Sequence, residues 1–459
     1  MTQTTTGVTT IDPTSGEPLA HHPHTTPDRL EAVLAGAVAA GRRMRAESAG
    51  DRADGLHAIA TRLRRDADVH AALITAEMGK PIDQARAEIL KCATACDHYA
   101  GRLPDLLAPR PVALGGDGGH VRAVPLGTVL AVMPWNYPFW QVFRSMVPAI
   151  AIGNTVVLKH ADNVTASALA IQPLFDELLG PGVLSAVVLP PGRIGPLIDD
   201  PRIAAVAFTG SNRVGAIVAA RAGAAVKKTL LELGGSDPFV VLADADVAAA
   251  ARAAVRSRFL NNGQSCIAAK RLIVERSVRD EFVDVFTTEM DALTVGDPAV
   301  PGTDIGPMAR HDLRDELRRQ LEATLGEGGR LLAGGARDER PGAWFPPALV
   351  EVDDPAATAF QQETFGPLGA LCTVESADAA VEVANASRYG LSCSVWSADA
   401  ERAQAVADRI ETGSAFINRI SESDPRLPVG GVKGSGHGRE LGDHGALELA
   451  NLRSVRITP

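Results

Sequence analysis

Two hydrophobic periods succeed each other along this chain. Before residue 110 the spacing is helical: Leu30, Val33, Leu34 and Val38 share one face, and Leu56, Ile59 and Leu63, then Ala71, Leu73 and Ile74, share another. Gly79-Lys80-Pro81 breaks the pattern, and a further helix is predicted to about Tyr99. From Leu126 short apolar runs alternate with helical stretches. Strands are predicted at 128–133, 154–158, 184–189 and 204–208, and helices at 165–178 and 214–222. A second such region runs from Leu230 to about Asn418, with strands at 239–242 and 271–274 and helices at 247–260 and 278–293. Strands alternating with helices imply right-handed crossovers and parallel sheets. The fold class is therefore α/β, with two Rossmann-like open parallel-sheet domains and a small separate β element.

Segments outside this alternation supply the small element. Residues 10–18 read as a strand and turn, with Asp12-Pro13 and Gly16 in the turn. Residues 112–123 read as a hairpin around Gly115-Gly116-Asp117-Gly118-Gly119, and 453–458 as a lone strand. The hairpin and the lone strand are expected to pair, and their exposed edge to be covered by another subunit. The longest apolar stretch, 127–159, is interrupted by Asn136, Arg144 and three prolines, which argues for a buried strand and helix and against a membrane span.

Length and composition narrow the function classes. The 459 residues imply two or three structural units, and 46% hydrophobic with 22% charged residues is the balance of a folded globular protein. A net charge of −10 offers no basic field for nucleic acid. Five cysteines are too few, and odd in number, for a disulfide framework, which points to a reducing compartment. The polar start at 1–10 shows no apolar leader core, so a cytoplasmic location is expected. Cys92 and Cys96 read as small buried hydrophobes, and no metal site is expected.

Candidate chemistry lies in three places. Cys266 ends Asn261-Asn262-Gly263-Gln264-Ser265-Cys266, a small polar loop unlike the surroundings of the other four cysteines. Glu232 sits among leucines before Gly234-Gly235, where burial raises a carboxyl pKa into the range of a general base; an ion-paired glutamate at a strand end is the alternative. Asn136, in Met133-Pro134-Trp135-Asn136-Tyr137-Pro138, has an amide held between prolines, suited to an oxyanion hole or to capping a turn.

Asn136, Glu232 and Cys266, in that order, resemble the aldehyde dehydrogenase superfamily from about Thr10 to Ile457. Phe208-Thr209-Gly210-Ser211, Glu363-Thr364-Phe365-Gly366-Pro367, Asn418 and the run from Pro428 to Gly436 extend the match. Glu232 precedes Cys266 by 34 residues and Glu363 follows it by 97, spacings similar to the family's. The resemblance implies a Cys266 nucleophile, an Asn136 oxyanion donor and Glu232 as the base that hydrolyses a thioester to a free acid. It implies NAD or NADP as cofactor, with Trp135, Lys159, Asp162, Gly210, Ser211, Leu233, Glu363 and Phe365 in its site. Asp162 stands where the family often has glutamate, which leaves the two cofactors undecided. The resemblance also implies a cofactor domain over 1–109 and 127–234, a catalytic domain over 235–427, and an oligomerisation element over 110–126 and 440–459, in a homodimer or homotetramer.

Within the superfamily, Lys159-His160-Ala161, Trp140-Gln141-Val142-Phe143-Arg144 and the segment around Arg258 and Cys266 are similar to the short bacterial succinate-semialdehyde dehydrogenases. That subgroup implies a small anionic aldehyde. Arg144 is then expected over the mouth of the site, where its fork suits a carboxylate, with Ser423 and Arg426 as further contacts. Leu260, Arg419, Glu422 and Val429 depart from the subgroup near the expected channel, so a different pathway aldehyde is the alternative, and a catalytically silent relative a more remote one. Ala268, two residues after Cys266, leaves that cysteine without a local disulfide partner.

Overall fold

A computed structural model describes residues 7–114 and 117–457. The polar start at 1–6, Gly115-Gly116 of the expected hairpin, and Thr458 of the last strand lie outside the described residues.

The apolar runs become two parallel sheets. The first has the strand order Gly436–His437, Lys228–Glu232, Ile203–Thr209, Thr128–Met133, Thr155–His160, Leu184–Ala186; every pair is parallel except that of Gly436–His437 with Lys228–Glu232. Burial on both faces explains the near-continuous apolar runs. The chain enters at Thr128–Met133, winds outward through Thr155–His160, then returns to lay down Ile203–Thr209 on the other side. That reversal opens a crevice at the carboxyl ends of Thr128–Met133 and Ile203–Thr209, where doubly wound sheets bind ligands. Asn136 and Gly210-Ser211 follow those two ends.

The second sheet has seven strands in the order Arg330–Gly334, Ala348–Glu351, Leu368–Val374, Ala269–Glu275, Asp237–Val241, Ser392–Trp396, Ser414–Ile417, and only the first is antiparallel to its neighbour. Helix Val247–Phe259 crosses from Asp237–Val241 to Ala269–Glu275, so the segment carrying Cys266 lies on the return into this sheet.

The hairpin and the last strand form one antiparallel sheet. Ala450–Ile457 runs against Asp117–Pro125, which pairs in turn with Arg110–Leu114. The N-terminal strand and turn is a hairpin of Gly7–Ile11 with Pro18–Pro23. The apolar stretch 127–159 is a buried strand, helix Trp140–Ile152 and a second buried strand, and among the described residues no helix is long and apolar enough to cross a membrane. All five cysteines are free; Cys92 and Cys96 are buried in helix Ile82–Leu107, where burial pushes both thiols up.

Candidate active site

The loop before Cys266 is strained and heavily tied. Helix Val247–Phe259 stops at Leu260, and Asn261, Asn262 and Gly263 then take φ of 58°, 55° and 71°. Asparagine tolerates this left-handed region better than other side chains do. At Gly263 a Cβ would meet the Gly366 backbone at 2.5 Å, so only glycine fits. The Asn261 amide donates to the backbone oxygens of Asn136 (2.8 Å) and Gln264 (3.1 Å). Asn262 donates to the oxygens of Gly79 and Pro307, both at 2.8 Å. Arg258, fully buried, donates to Gly263 O at 2.9 Å. Lys270, also fully buried, donates to the oxygens of Ser265 (2.7 Å) and Cys266 (2.8 Å). Strain so over-determined is typical of functional sites.

Cys266 emerges from this loop partly exposed and free. Burial pushes its thiol up to about 11, against the pull of Arg144 and Lys270. Asn136 is brought to the same loop, its amide donating to Gln264 O at 3.0 Å. A carboxamide has two N–H donors, so a second remains for a ligand.

Glu232 ends its strand buried, and its Oε1 has no hydrogen-bond partner among the described residues. Burial, with the neighbouring Glu440 charge, lifts its pKa to about 8 against the pull of Arg144. Arg144 is not at the mouth of the site. It lies buried on helix Trp140–Ile152, its Nε in an ion pair with Glu440 and its Nη2 3.7 Å from Glu232 Oε2. The correction has a geometric cause: one turn into this helix, the side chain faces inward, toward Glu232 and Glu440.

Several residues of this site carry no sequence signal of their own. Glu440 is one. Lys80 and Glu88 are others: they form a buried ion pair, Lys80 Nζ sits 3.7 Å from the Tyr137 ring centroid, and Glu88 Oε1 accepts from the N–H groups of Phe139 and Trp140, both at 2.9 Å. The carboxylate thus caps the helix that carries Arg144 and fixes the Asn136 turn. Lys270 is a further one: its burial beneath the Cys266 loop shows its use.

On the side facing the first sheet, the residues present fit a dinucleotide. Ser211 caps helix Asn212–Ala224, and Gly210 N donates to the backbone oxygen of Glu232 at 3.0 Å, so an anion-favouring helix start lies at the end of the Glu232 strand. Leu233 packs where a Cβ on Gly215 would lie, 2.4 Å away. Lys159, next to last in its strand, is paired to Asp162 at 2.6 Å, a cation and a carboxylate suited to ribose hydroxyls. Glu363 Oε1 accepts from Gly235 N at 2.9 Å, and a Cβ on Gly234 would meet Glu363 Oε2 at 2.5 Å, so the glycine pair lets this carboxylate approach. Phe365 meets Trp135 edge to face at 5.6 Å.

On the opposite side of Cys266 a cavity of about 400 Å³ is lined by Lys91, Trp140, Arg144, Leu260, Cys266 and Ser423. Arg426 is not among its lining residues. It is exposed and paired with Asp424, two residues away in the same turn. Arg419 is likewise spent on Glu422, an exposed pair.

Comparison with known proteins gives one consistent result. The family described as the aldehyde dehydrogenase family matches residues 1–455. The chain is 44% identical over 446 residues to the succinate semialdehyde dehydrogenase [NAD(P)+] of Escherichia coli K12, covering 97% of this chain and 96% of that protein. It is 41% identical over 454 residues to succinate-semialdehyde dehydrogenase [NADP(+)] 1 of Mycobacterium tuberculosis H37Rv, covering 98% and 99%. The crystal structure of succinic semialdehyde dehydrogenase from Streptococcus pyogenes with NADP+ superposes with a TM-score of 0.96 at 35% identity, covering 98% of this chain and all of that one.

Proposed function

This chain belongs to the aldehyde dehydrogenase family, and from that membership we propose that it oxidises succinate semialdehyde to succinate with NAD or NADP as hydride acceptor. The observation that carries the reading is a single cavity joining Cys266 to the buried Arg144 beside Glu232.

The residues divide the work as follows. Cys266 Sγ, once deprotonated, adds to the aldehyde carbon. The second Asn136 N–H and the Cys266 N–H receive the oxyanion. A bound NAD or NADP would supply the acceptor for the hydride on this carbon, which would leave the carbon on sulfur as a thioester. Glu232 Oε1 takes a proton from water as the water oxygen bonds to that carbon; the C–S bond breaks, the free acid leaves, and Cys266 Sγ departs as the thiolate while Glu232 keeps the proton. The presence of Glu232 favours hydrolysis over acyl transfer to another thiol. Lys159, Asp162, Gly210, Ser211, Trp135, Leu233, Glu363 and Phe365 orient the dinucleotide. Arg144 turns Nη2 to the far end of the substrate, and Ser423 adds its hydroxyl.

In this reading 1–109 with 127–234 holds the cofactor, 235–427 the nucleophile, and 110–126 with 440–459 joins copies of the chain. Val112, Leu114, Leu452 and Ile457, exposed on the antiparallel sheet, support a homodimer or homotetramer. Free thiols at all five cysteines support a cytoplasmic setting. The test is steady-state kinetics with succinate semialdehyde and with butanal, its uncharged four-carbon counterpart, each with both cofactors. A higher kcat/KM for succinate semialdehyde is expected; a preference for butanal overturns the substrate assignment.

A further inference from the structure

The cavity holds one hydrogen-bond donor that the chemistry above leaves unused, the Lys91 ammonium. Lys91, half-buried on helix Ile82–Leu107, places Nζ 4.7 Å from the Trp140 ring centroid. Its ammonium donates to Ser423 Oγ at 2.9 Å, and the same oxygen accepts from Trp140 Nε1 at 3.1 Å. A hydroxyl has two acceptor lone pairs and one proton. Both lone pairs of Ser423 are taken, so its O–H is left to donate elsewhere. The ammonium keeps further N–H groups, and Arg144 Nη2 is buried with no hydrogen-bond partner among the described residues.

The charges point the same way. Burial lowers the Lys91 pKa, and the Arg144 charge lowers it again against the smaller opposing pull of Glu422 and Asp424, so the two cations still repel across one cavity. The three acids that line the cavity are engaged elsewhere: Glu88 holds Lys80, Glu422 holds Arg419, and Asp83 accepts from Gly302 N at 3.0 Å. A carboxylate between Lys91 and Arg144 relieves the repulsion and receives every idle donor.

Resting on the substrate reading above, we infer that Lys91 is a specificity-determining residue: its ammonium and the Ser423 hydroxyl bind one oxygen of the substrate's distal carboxylate while Arg144 Nη2 faces the other. Sequence reasoning passed over Lys91 because a lone lysine on a helix reads as a solvated face.

Lys91→Met and Lys91→Arg test this with the full-length protein. Lys91→Met is expected to lower kcat/KM for succinate semialdehyde roughly ten- to hundredfold more than for butanal, and Lys91→Arg to recover part of that loss. Competitive inhibition of butanal oxidation by succinate reads the same subsite without reference to the native aldehyde, and its Ki is expected to rise by a similar factor in Lys91→Met. Equal losses for the two aldehydes together with an unchanged succinate Ki overturn the inference. A wild-type preference for butanal, with the succinate Ki still raised in Lys91→Met, sinks the substrate reading and leaves the Lys91 subsite standing.

Discussion

The Lys270 ammonium holds the Cys266 carbonyl oxygen at 2.8 Å and that of Ser265 at 2.7 Å from beneath the loop. In a trans peptide the carbonyl and the N–H point opposite ways. The Ser265 oxygen turned toward Lys270 therefore aims the Cys266 N–H away from it. Lys270 is a positioning residue for that N–H, and it also lies 3.6 Å from Glu363. Lys270→Met is expected to cut kcat at least about tenfold, below the cost of losing an oxyanion donor outright, with a smaller change in aldehyde KM. An unchanged kcat removes Lys270 from this role.

Cys266→Ser is expected to abolish turnover while dinucleotide binding, followed by fluorescence titration, persists. In the wild type the thiol stands at about 11 because burial disfavours the thiolate. Alkylation of Cys266 by iodoacetamide should accordingly rise about tenfold per pH unit from pH 7 to pH 10. Peptide mapping identifies the alkylated cysteine. A rate that levels off near neutral pH contradicts the raised pKa.

The parallel sheets and the loop carrying Cys266 were legible because both rest on local signals. Buried strands write continuous apolar runs, and a small polar glycine-bearing loop announces a turn. The parts that escaped depend on contacts between distant segments. Glu440 lies far along the chain from Arg144 and meets it only in the folded chain, where Glu440 bridges to Val429 and pairs with the Arg144 guanidinium. Lys80 and Glu88 sit in a stretch whose pattern says only helix and break, and their burial against Tyr137 has no periodic signature. Arg426 failed in the opposite direction. It has the residue type expected of an anion contact, but Asp424 claims it within the same turn.

In the proposed cofactor site, Asp162, just past strand Thr155–His160, is expected to set the preference between NAD and NADP. Its carboxylate accepts from Lys159 Nζ at 2.6 Å, so it partly cancels the cation that a 2′-phosphate would seek. Asp162→Ala frees Lys159 and removes the opposing charge. The ratio of kcat/KM for NADP to that for NAD is expected to rise roughly tenfold, the worth of one charge-assisted contact. A ratio that stays constant places the discrimination elsewhere.

Glu440 and Arg144 pull the pKa of Glu232 in opposite directions, so their removal should move the pH profile in opposite directions. Burial and the Glu440 charge raise Glu232 to about 8, while Arg144 lowers it. The base works only when deprotonated, so kcat with butanal is expected to fall as pH drops below about 8. Butanal is the substrate to use, because it lacks the carboxylate through which Arg144 would also change binding. Glu440→Gln removes a like charge and leaves Arg144 to Glu232 alone; both effects favour the carboxylate, so the acidic limb moves to lower pH. Arg144→Gln removes the larger of two cationic pulls on Glu232, leaving Arg439, so the limb moves to higher pH. The double variant should fall between the two, because each group acts on Glu232 by charge. If both single variants move the limb the same way, or neither moves it, Glu232 is not the group that titrates in kcat.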